Sequence, residues 1–404
     1  MVWDPNEISV VLSRTGCKVP SPDHPVLAKR HRCCENPGMH ITPPHPHAVL
    51  SRRGVLLAAA LAGSGLTPPT MPTAHALPAQ TLTFPRDRGA HPGFRTEWWY
   101  ITGQALAGER LFGFQLTFFR SRIDATQGMA SQFAAKQLLF AHAAITDVAG
   151  NKLHHDQRIA RSGFDVASAS ESDMALKLRD WSLTANGAGY TARLPATDFG
   201  LRLQFTETQP VLLQGNKGLS RKGPDDKQAS YYYSQPQLAT RGTLQIKGRS
   251  FDVQGTAWLD HEWSQELLHP SAIGWDWIGM NLVDGSALTA FRLRDKNGGA
   301  VWDGGSFRSA KGDLYVFSRG EVIFKPTRFW KSPLSQTTYP VEWIVRTPAD
   351  FYTVKAVMDA QELDSRQSTG SIYWEGLSDL WDSNGQRVGR GYLEMTGYAA
   401  PLRM

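Results

Sequence analysis

Phe112-Gly113-Phe114-Gln115-Leu116-Thr117-Phe118 decides the fold class. Every second side chain is large and apolar, and those between are small or polar. That period of two belongs to an extended chain with one face on a core and the other toward water. The same beat returns at Met174, Leu176 and Leu178, which alternate with Lys177 and Arg179. It returns again at Leu201, Leu203 and Phe205, set against Arg202, Gln204 and Thr206. Turn formers fall between such runs at Asp147-Val148-Ala149-Gly150-Asn151, Asn186-Gly187, Asp284-Gly285, Asn297-Gly298-Gly299 and Asn384-Gly385. No stretch sustains the helical period. The chain therefore reads as all-β, an antiparallel sandwich or barrel. Of its 13 tryptophans, 12 follow Met71, which suits β-rich domains with broad apolar interiors.

A strand-opening pattern occurs twice. Trp98-Trp99-Tyr100-Ile101-Thr102-Gly103 and Trp275-Asp276-Trp277-Ile278-Gly279 lie 177 residues apart, the second followed by Asp284-Gly285 and a strand over 288–293. Duplication of a barrel-type unit explains the repeat; coincidence in a Trp-rich chain is the alternative. Duplication predicts two domains, 77–264 and 265–404, parting in 265–271, where Leu267-Leu268-His269-Pro270-Ser271 breaks the alternation.

The first 76 residues read differently. Ser51-Arg52-Arg53 precedes an apolar stretch, 54–63, too short for a stable membrane anchor; Pro68-Pro69 and then the small-x-small site Ala74-His75-Ala76 follow. This order predicts a twin-arginine signal peptide over 39–76, the twin-arginine export machinery as a partner, and a periplasmic or secreted protein. A Sec leader or a chance basic pair is the alternative. Residues 1–38 lack periodicity and read as disordered, with Met39 the expected true start. Cys17, Cys33 and Cys34 all lie there, so the expected mature chain has neither disulfide nor thiolate chemistry, and Cys33-Cys34 lacks the spaced partners of a zinc finger. Residues 77–404 carry 36 Lys and Arg against 33 Asp and Glu, a balance that argues against nucleic acid as a partner. No further apolar stretch approaches the ~20 residues of a membrane span, so no transmembrane anchor is expected in the mature form.

Three clusters are candidates for chemistry. In Trp258-Leu259-Asp260-His261-Glu262-Trp263-Ser264, a strand places Trp258, Asp260 and Glu262 on one face and Leu259, His261 and Trp263 on the other. Buried acids and imidazoles are costly unless paired, so the segment is either a satisfied polar network or a site. In Trp275-Asp276-Trp277 the aspartate points away from both indoles: it faces a cavity while they seal an interface, or the reverse. A carboxyl among aromatics loses acidity, which would make Asp276 a proton donor near neutral pH; a turn-capping aspartate is the bland alternative. In Glu97-Trp98-Trp99-Tyr100, Glu97 and Trp99 share a face opposite Trp98 and Tyr100, and core packing is the favoured reading of the aromatics. His142, on a small-residue strand, reads more readily as a hydrogen-bonded core residue than as a catalyst. The glycine-and-lysine loop 215–223 ahead of Tyr231-Tyr232-Tyr233 has no helix after it and is no phosphate cradle. Neither G-x-S-x-G nor H-E-x-x-H occurs. Glu97, Asp260, His261 and Glu262 offer hard donors, but no spacing compels a metal and none is assigned.

Taken in order, several motifs resemble one family. They are His91-Pro92 with Glu97-Trp98-Trp99-Tyr100-Ile101-Thr102-Gly103, then His142-Ala143-Ala144, and Lys217-Gly218 with Tyr231-Tyr232-Tyr233-Ser234. The segment 258–264 and Gly389-Arg390-Gly391-Tyr392-Leu393-Glu394-Met395-Thr396-Gly397-Tyr398 complete the set. The ordered set is similar to the AttH-like and carotenoid 1,2-hydratase group, which also includes proteins labelled predicted secreted hydrolases. The resemblance covers nearly all of the chain after the leader and implies two lipocalin-like antiparallel β-barrel or sandwich domains packed together. It also implies addition of water to an isoprenoid double bond without a cofactor. His261-x-Trp263 matches the family's His-x-Trp pair, and Asp276 is the best match for its acid. An exported form departs from carotenoid biosynthesis, which leaves the carotenoid itself in doubt.

Two functions follow as expectations. In the first, a hydratase or lyase acts on an apolar, isoprenoid-like molecule: Asp276 donates the proton, His261 positions water, and Trp263, Trp275 or Trp277 lines the cation, with Asp260 and Glu262 completing the catalytic set. Trp99, Tyr232, Glu97 and His142 join Trp275 and Trp277 in holding the substrate. This requires Asp276, His261 and Glu262 to line one cavity. In the second, the protein is a periplasmic carrier for a hydrophobic ligand and the acids are structural. A hydrolase is disfavoured, because no nucleophile with a base partner is visible.

Overall fold

The alternating stretch around Phe114 lies in the strand Arg110–Arg122, paired antiparallel with Thr96–Ala107 on one side and Gln137–Asp147 on the other. The computed structural model describes residues 76–402; the expectations for 1–38 and for the signal peptide up to His75 fall outside them. Among the described residues there is no α-helix, and two antiparallel sheets hold the regular structure. The all-β expectation holds. One sheet has 13 strands within 96–266, and the other has 10 strands within 274–395. The chain passes between them through 267–273, where the sequence loses its alternation. In the first sheet, Lys152–Arg161 comes back against Ala175–Leu178, so the sheet curls into a nearly closed barrel.

Each sheet has its own interior. Trp99, Phe114, Leu116, Leu203 and Trp263 fill the first, and Ile278, Met280, Trp343 and Leu393 the second. A third apolar cluster, with Tyr100, Trp258, Trp277, Phe291, Leu377 and Tyr392, lies where the sheets pack on each other. Burial of each such large side chain contributes on the order of 2–3 kcal/mol. The middle strands are therefore buried on both faces: along Arg249–Glu266, every residue in 257–264 is buried.

Close contact between the sheets depends on Gly113, where a Cβ would lie 2.7 Å from the Tyr392 hydroxyl and 3.0 Å from Leu377 Cβ. Side-chain hydrogen bonds fix their alignment. Asn281 Nδ2 donates to the Ala257 carbonyl at 3.0 Å, the Gln237 backbone N–H donates to Asn281 Oδ1 at 2.8 Å, and Thr146 Oγ1 donates to Gln361 Oε1 at 2.9 Å. These directional bonds hold one register between two largely apolar faces.

Candidate functional site

Strand register assembles a pocket between the sheets. On Arg249–Glu266, Asp260 and Glu262 point toward the second sheet. Tyr100 and Trp98 lie opposite them on one neighbouring strand, and Ser234 and Tyr232 on the other. The second sheet answers with Trp277 opposite both Phe291 and Glu394, and with Glu375 opposite Glu394. All of these except Ser234, with Lys222, Tyr373 and Leu267, line a cavity of about 110 Å³. Its rim is formed by Trp98, Phe119, Leu268 and Trp275, all partly exposed. A larger groove of about 640 Å³ runs between 209–217 and 308–316, but its walls carry no carboxyl or imidazole.

Four carboxyls meet the pocket, and their environments differ. Asp260 accepts hydrogen bonds from Trp258 Nε1 at 2.7 Å, Ser234 Oγ at 2.5 Å and Tyr232 Oη at 2.8 Å. Burial outweighs these three donors and pushes its pKa up to about 7. Glu394 is also pushed to about 7 by burial, against the opposing hydrogen bond from Trp275 and with the charges of Asp260 and Glu262 adding to the rise. Burial, and then the charge of Glu394, hold Glu375 well above the usual carboxylate range; the hydroxyls of Tyr100 and Tyr373 face it. Glu262 instead pairs with Lys222 Nζ at 3.0 Å. That ammonium also lies 4.7 Å from the Tyr232 ring centroid and 4.3 Å from that of Phe291. The pocket thus combines aromatic faces, which stabilise positive charge, with three carboxyls that burial makes weaker acids than usual and a fourth paired with a lysine.

His261 and Trp263, one residue out of phase with these acids, point into the first barrel. His261 Nε2 lies 2.9 Å from Glu97 Oε1, and its Nδ1 lies 3.2 Å from Tyr233 Oη and 3.1 Å from the Asp87 carbonyl. His91 Nδ1 meets the same Glu97 oxygen at 2.7 Å, and the His91 ring stacks on Trp263 at 3.8 Å. Burial would raise Glu97, but the bonds from His261 and His91 outweigh it and hold the carboxyl well below its usual range. His91, Glu97 and His261 bring three potential ligand atoms within 4.8 Å of one another. Arg120 Nε donates to the other Glu97 oxygen at 2.7 Å, so both oxygens of this carboxylate already have buried donors. The set is a complete hydrogen-bonded network that locks 87–97 into the barrel.

Asp276, His261 and Glu262 do not line one cavity. Trp275 and Trp277 are the residues at the pocket, and Asp276 faces the second sheet's interior. There its carboxylate meets Arg292 Nε at 2.7 Å, Arg294 Nε at 3.0 Å and the Tyr398 hydroxyl at 2.9 Å. Strand alternation forces this, since Asp276 lies between two residues of the opposite face. For the same reason Trp99, Glu97, His261 and Trp263 lie in the first barrel, not at the pocket. His142 sits behind the pocket wall, bonded to Tyr373. Asp260, Glu262, Tyr232, Trp275 and Trp277 do line the pocket. Lys222, Glu375 and Glu394 went unrecognised in the sequence. Glu394 lies inside the quoted 389–398 motif, and Tyr373-Trp374-Glu375 repeats the aromatic-next-to-acid pattern that singled out the other segments.

Residues 75–398 match the AttH-like family. The chain belongs to it. An AttH candidate from Nitrosomonas europaea is 45% identical over 80% of this chain and 99% of its own, with a TM-score of 0.75. Kievitone hydratase from Nectria haematococca shares the fold at 13% identity, covering 79% of this chain and 94% of its own, with a TM-score of 0.62. A search of curated proteins finds no match. In this AttH-like chain the ordered motifs fall on two opposite faces of the same strands, some at the pocket and some in the barrel interior.

Proposed function

We propose that this protein binds an apolar, isoprenoid-like molecule between its sheets and adds or removes water at a carbon–carbon double bond, as a cofactor-independent hydro-lyase. The observation that carries the reading is the pairing of two carboxyls poised near pH 7, Asp260 and Glu394, with the indoles and phenols of one pocket. Glu394 is held by a single opposing hydrogen bond and is the proton donor to the alkene. A tertiary cation then forms against Trp277, Trp275 and Tyr100. Asp260, whose three donors favour its ionised form, takes a proton from the attacking water. The shared fold with a hydratase agrees with this assignment without deciding it. The same reading places the reaction outside the cytoplasm, on the strength of the leader order from Ser51 to Ala76.

Incubation with terminal isoprenoid alcohols in heavy-oxygen water, followed by mass spectrometry, tests the proposal. One heavy oxygen should enter the product with wild-type protein and none with Glu394→Gln. Binding of the alcohol without water addition would instead favour a carrier.

A further inference from the structure

Glu375 is only 2% exposed, so a proton it gives up does not return directly from bulk water. A chain of polar side chains, hydrogen-bonded from Tyr373 outward, leads away behind it. Tyr373 lies two residues earlier on the same strand face and turns its hydroxyl toward Glu375. That hydroxyl is also 2.8 Å from Nδ1 of His142, on a strand of the other sheet. His142 is fully buried, and its Nε2 lies 2.8 Å from Ser368 Oγ. Ser368 in turn donates to Gln157 Oε1 at 2.6 Å, and Ser368 and Gln157 are both partly exposed.

We propose that Ser368, His142 and Tyr373 form a proton path connecting solvent to Glu375 at the back of the pocket. The proposal rests on the acid–base reading of that pocket. When Glu394 gives its proton to the substrate, Glu375, its cross-strand partner, passes its own proton to Glu394. The Glu375 carboxylate takes the Tyr373 hydroxyl proton. Tyr373 oxygen takes the proton from His142 Nδ1, Nε2 takes one from the Ser368 hydroxyl, and Ser368 takes one from water. One proton enters for each delivered, no electrons change hands, and the imidazole ends in its other tautomer. Ser368 turns its hydroxyl from Gln157 to Nε2 to open the relay, and rotation of the two hydroxyls together with a half-turn of the imidazole resets it. Imidazole is the side chain suited to the central position, because it accepts at one nitrogen while donating at the other. Burial and the neighbouring His155, whose ring is 6.0 Å away, keep His142 uncharged, so it carries protons without storing charge. Phe119, at 5.2 Å, shields it on another side.

Infrared spectroscopy of the full-length protein tests the path without any substrate. After mixing into heavy water, the carbonyl stretch of the protonated Glu375 carboxyl, identified by its loss in Glu375→Gln, shifts as the proton exchanges. His142→Gln and Tyr373→Phe keep the packing and remove the relay, and each should slow that exchange by about a hundredfold, the lower range for a positioned proton-transfer group. His155→Gln, adjacent but off the path, should leave it unchanged. Ser368→Ala, at a partly exposed position, should slow it too and keeps the test open if a buried variant fails to fold. Absence of the band in wild type, unchanged exchange in the path variants, or equal slowing in His155→Gln would overturn the proposal. Slow exchange in the path variants alongside no water addition by wild type would leave the path standing and the hydratase reading refuted.

Discussion

Replacing Asp260 with asparagine should make the protein less sensitive to rising pH, by an amount that follows from the pocket. A free aspartate has a pKa of about 3.9; burial raises that of Asp260 to about 7. The folded state therefore binds this proton more tightly than the unfolded chain does. Asp260 weighs on stability least below pH ~4, where both states are protonated; the loss grows as pH rises through the window to about 7 and is complete above it. A shift of about three units corresponds to ~4 kcal/mol, an order-of-magnitude figure. Asparagine fits the site: its carbonyl can accept from Trp258 and Ser234 on the Oδ1 side, and its amide can donate to the Tyr232 hydroxyl on the other. Urea unfolding of both proteins at steps between pH 4 and pH 8 measures the difference directly, with the unfolding slope checked for constancy. The variant should gain on wild type by several kcal/mol across that window, with no further gain above it. A difference independent of pH would show that Asp260 titrates normally, and the acid–base reading of the pocket would fall with it.

The other expected outcomes concern neighbouring groups. Asp276→Asn leaves Arg292 and Arg294 without their buried carboxylate and should lower stability by about 3 kcal/mol, measured by denaturation. Water addition by the folded fraction of that variant should be unchanged. Lys222→Met strands Glu262 inside the pocket without its buried partner and should lower stability by about 3 kcal/mol, measured by denaturation. With Asp260 acting as base and Glu394 as acid, kcat/KM for an isoprenoid alcohol should trace a narrow bell centred near pH 7. A plateau across that region would assign the chemistry elsewhere.

Parity was the most legible feature of the chain. The alternation in 112–118 is that of a strand, and in 258–264 it separates Asp260 and Glu262 from His261 and Trp263 as the structure does. Which parity faces the pocket was not legible, because 257–264 is buried on both sides and offers no contrast between apolar and polar faces. Asp276 shows the same limit: its position between two indoles was clear, but a buried pair of arginines on another strand decides its role. Glu375 and Glu394 lie more than 100 residues beyond Asp260 and only the packing of one sheet on the other brings them to it, whereas Lys222 reaches Glu262 from a hairpin of the first sheet. His142 reads from its own strand as a core histidine, but its partners Tyr373 and Ser368 lie on a strand of the other sheet and in the turn before it, and no local pattern announces them.

Photolabelling with a diazirine-bearing isoprenoid alcohol, followed by peptide mapping, asks most directly whether the space between the sheets is where an apolar molecule is held. Label should concentrate on peptides containing Trp98, Phe119, Leu268 and Trp275, and Trp277→Arg should abolish it. Label on the groove lined by 209–217 and 308–316, or labelling indifferent to Trp277, would contradict the account.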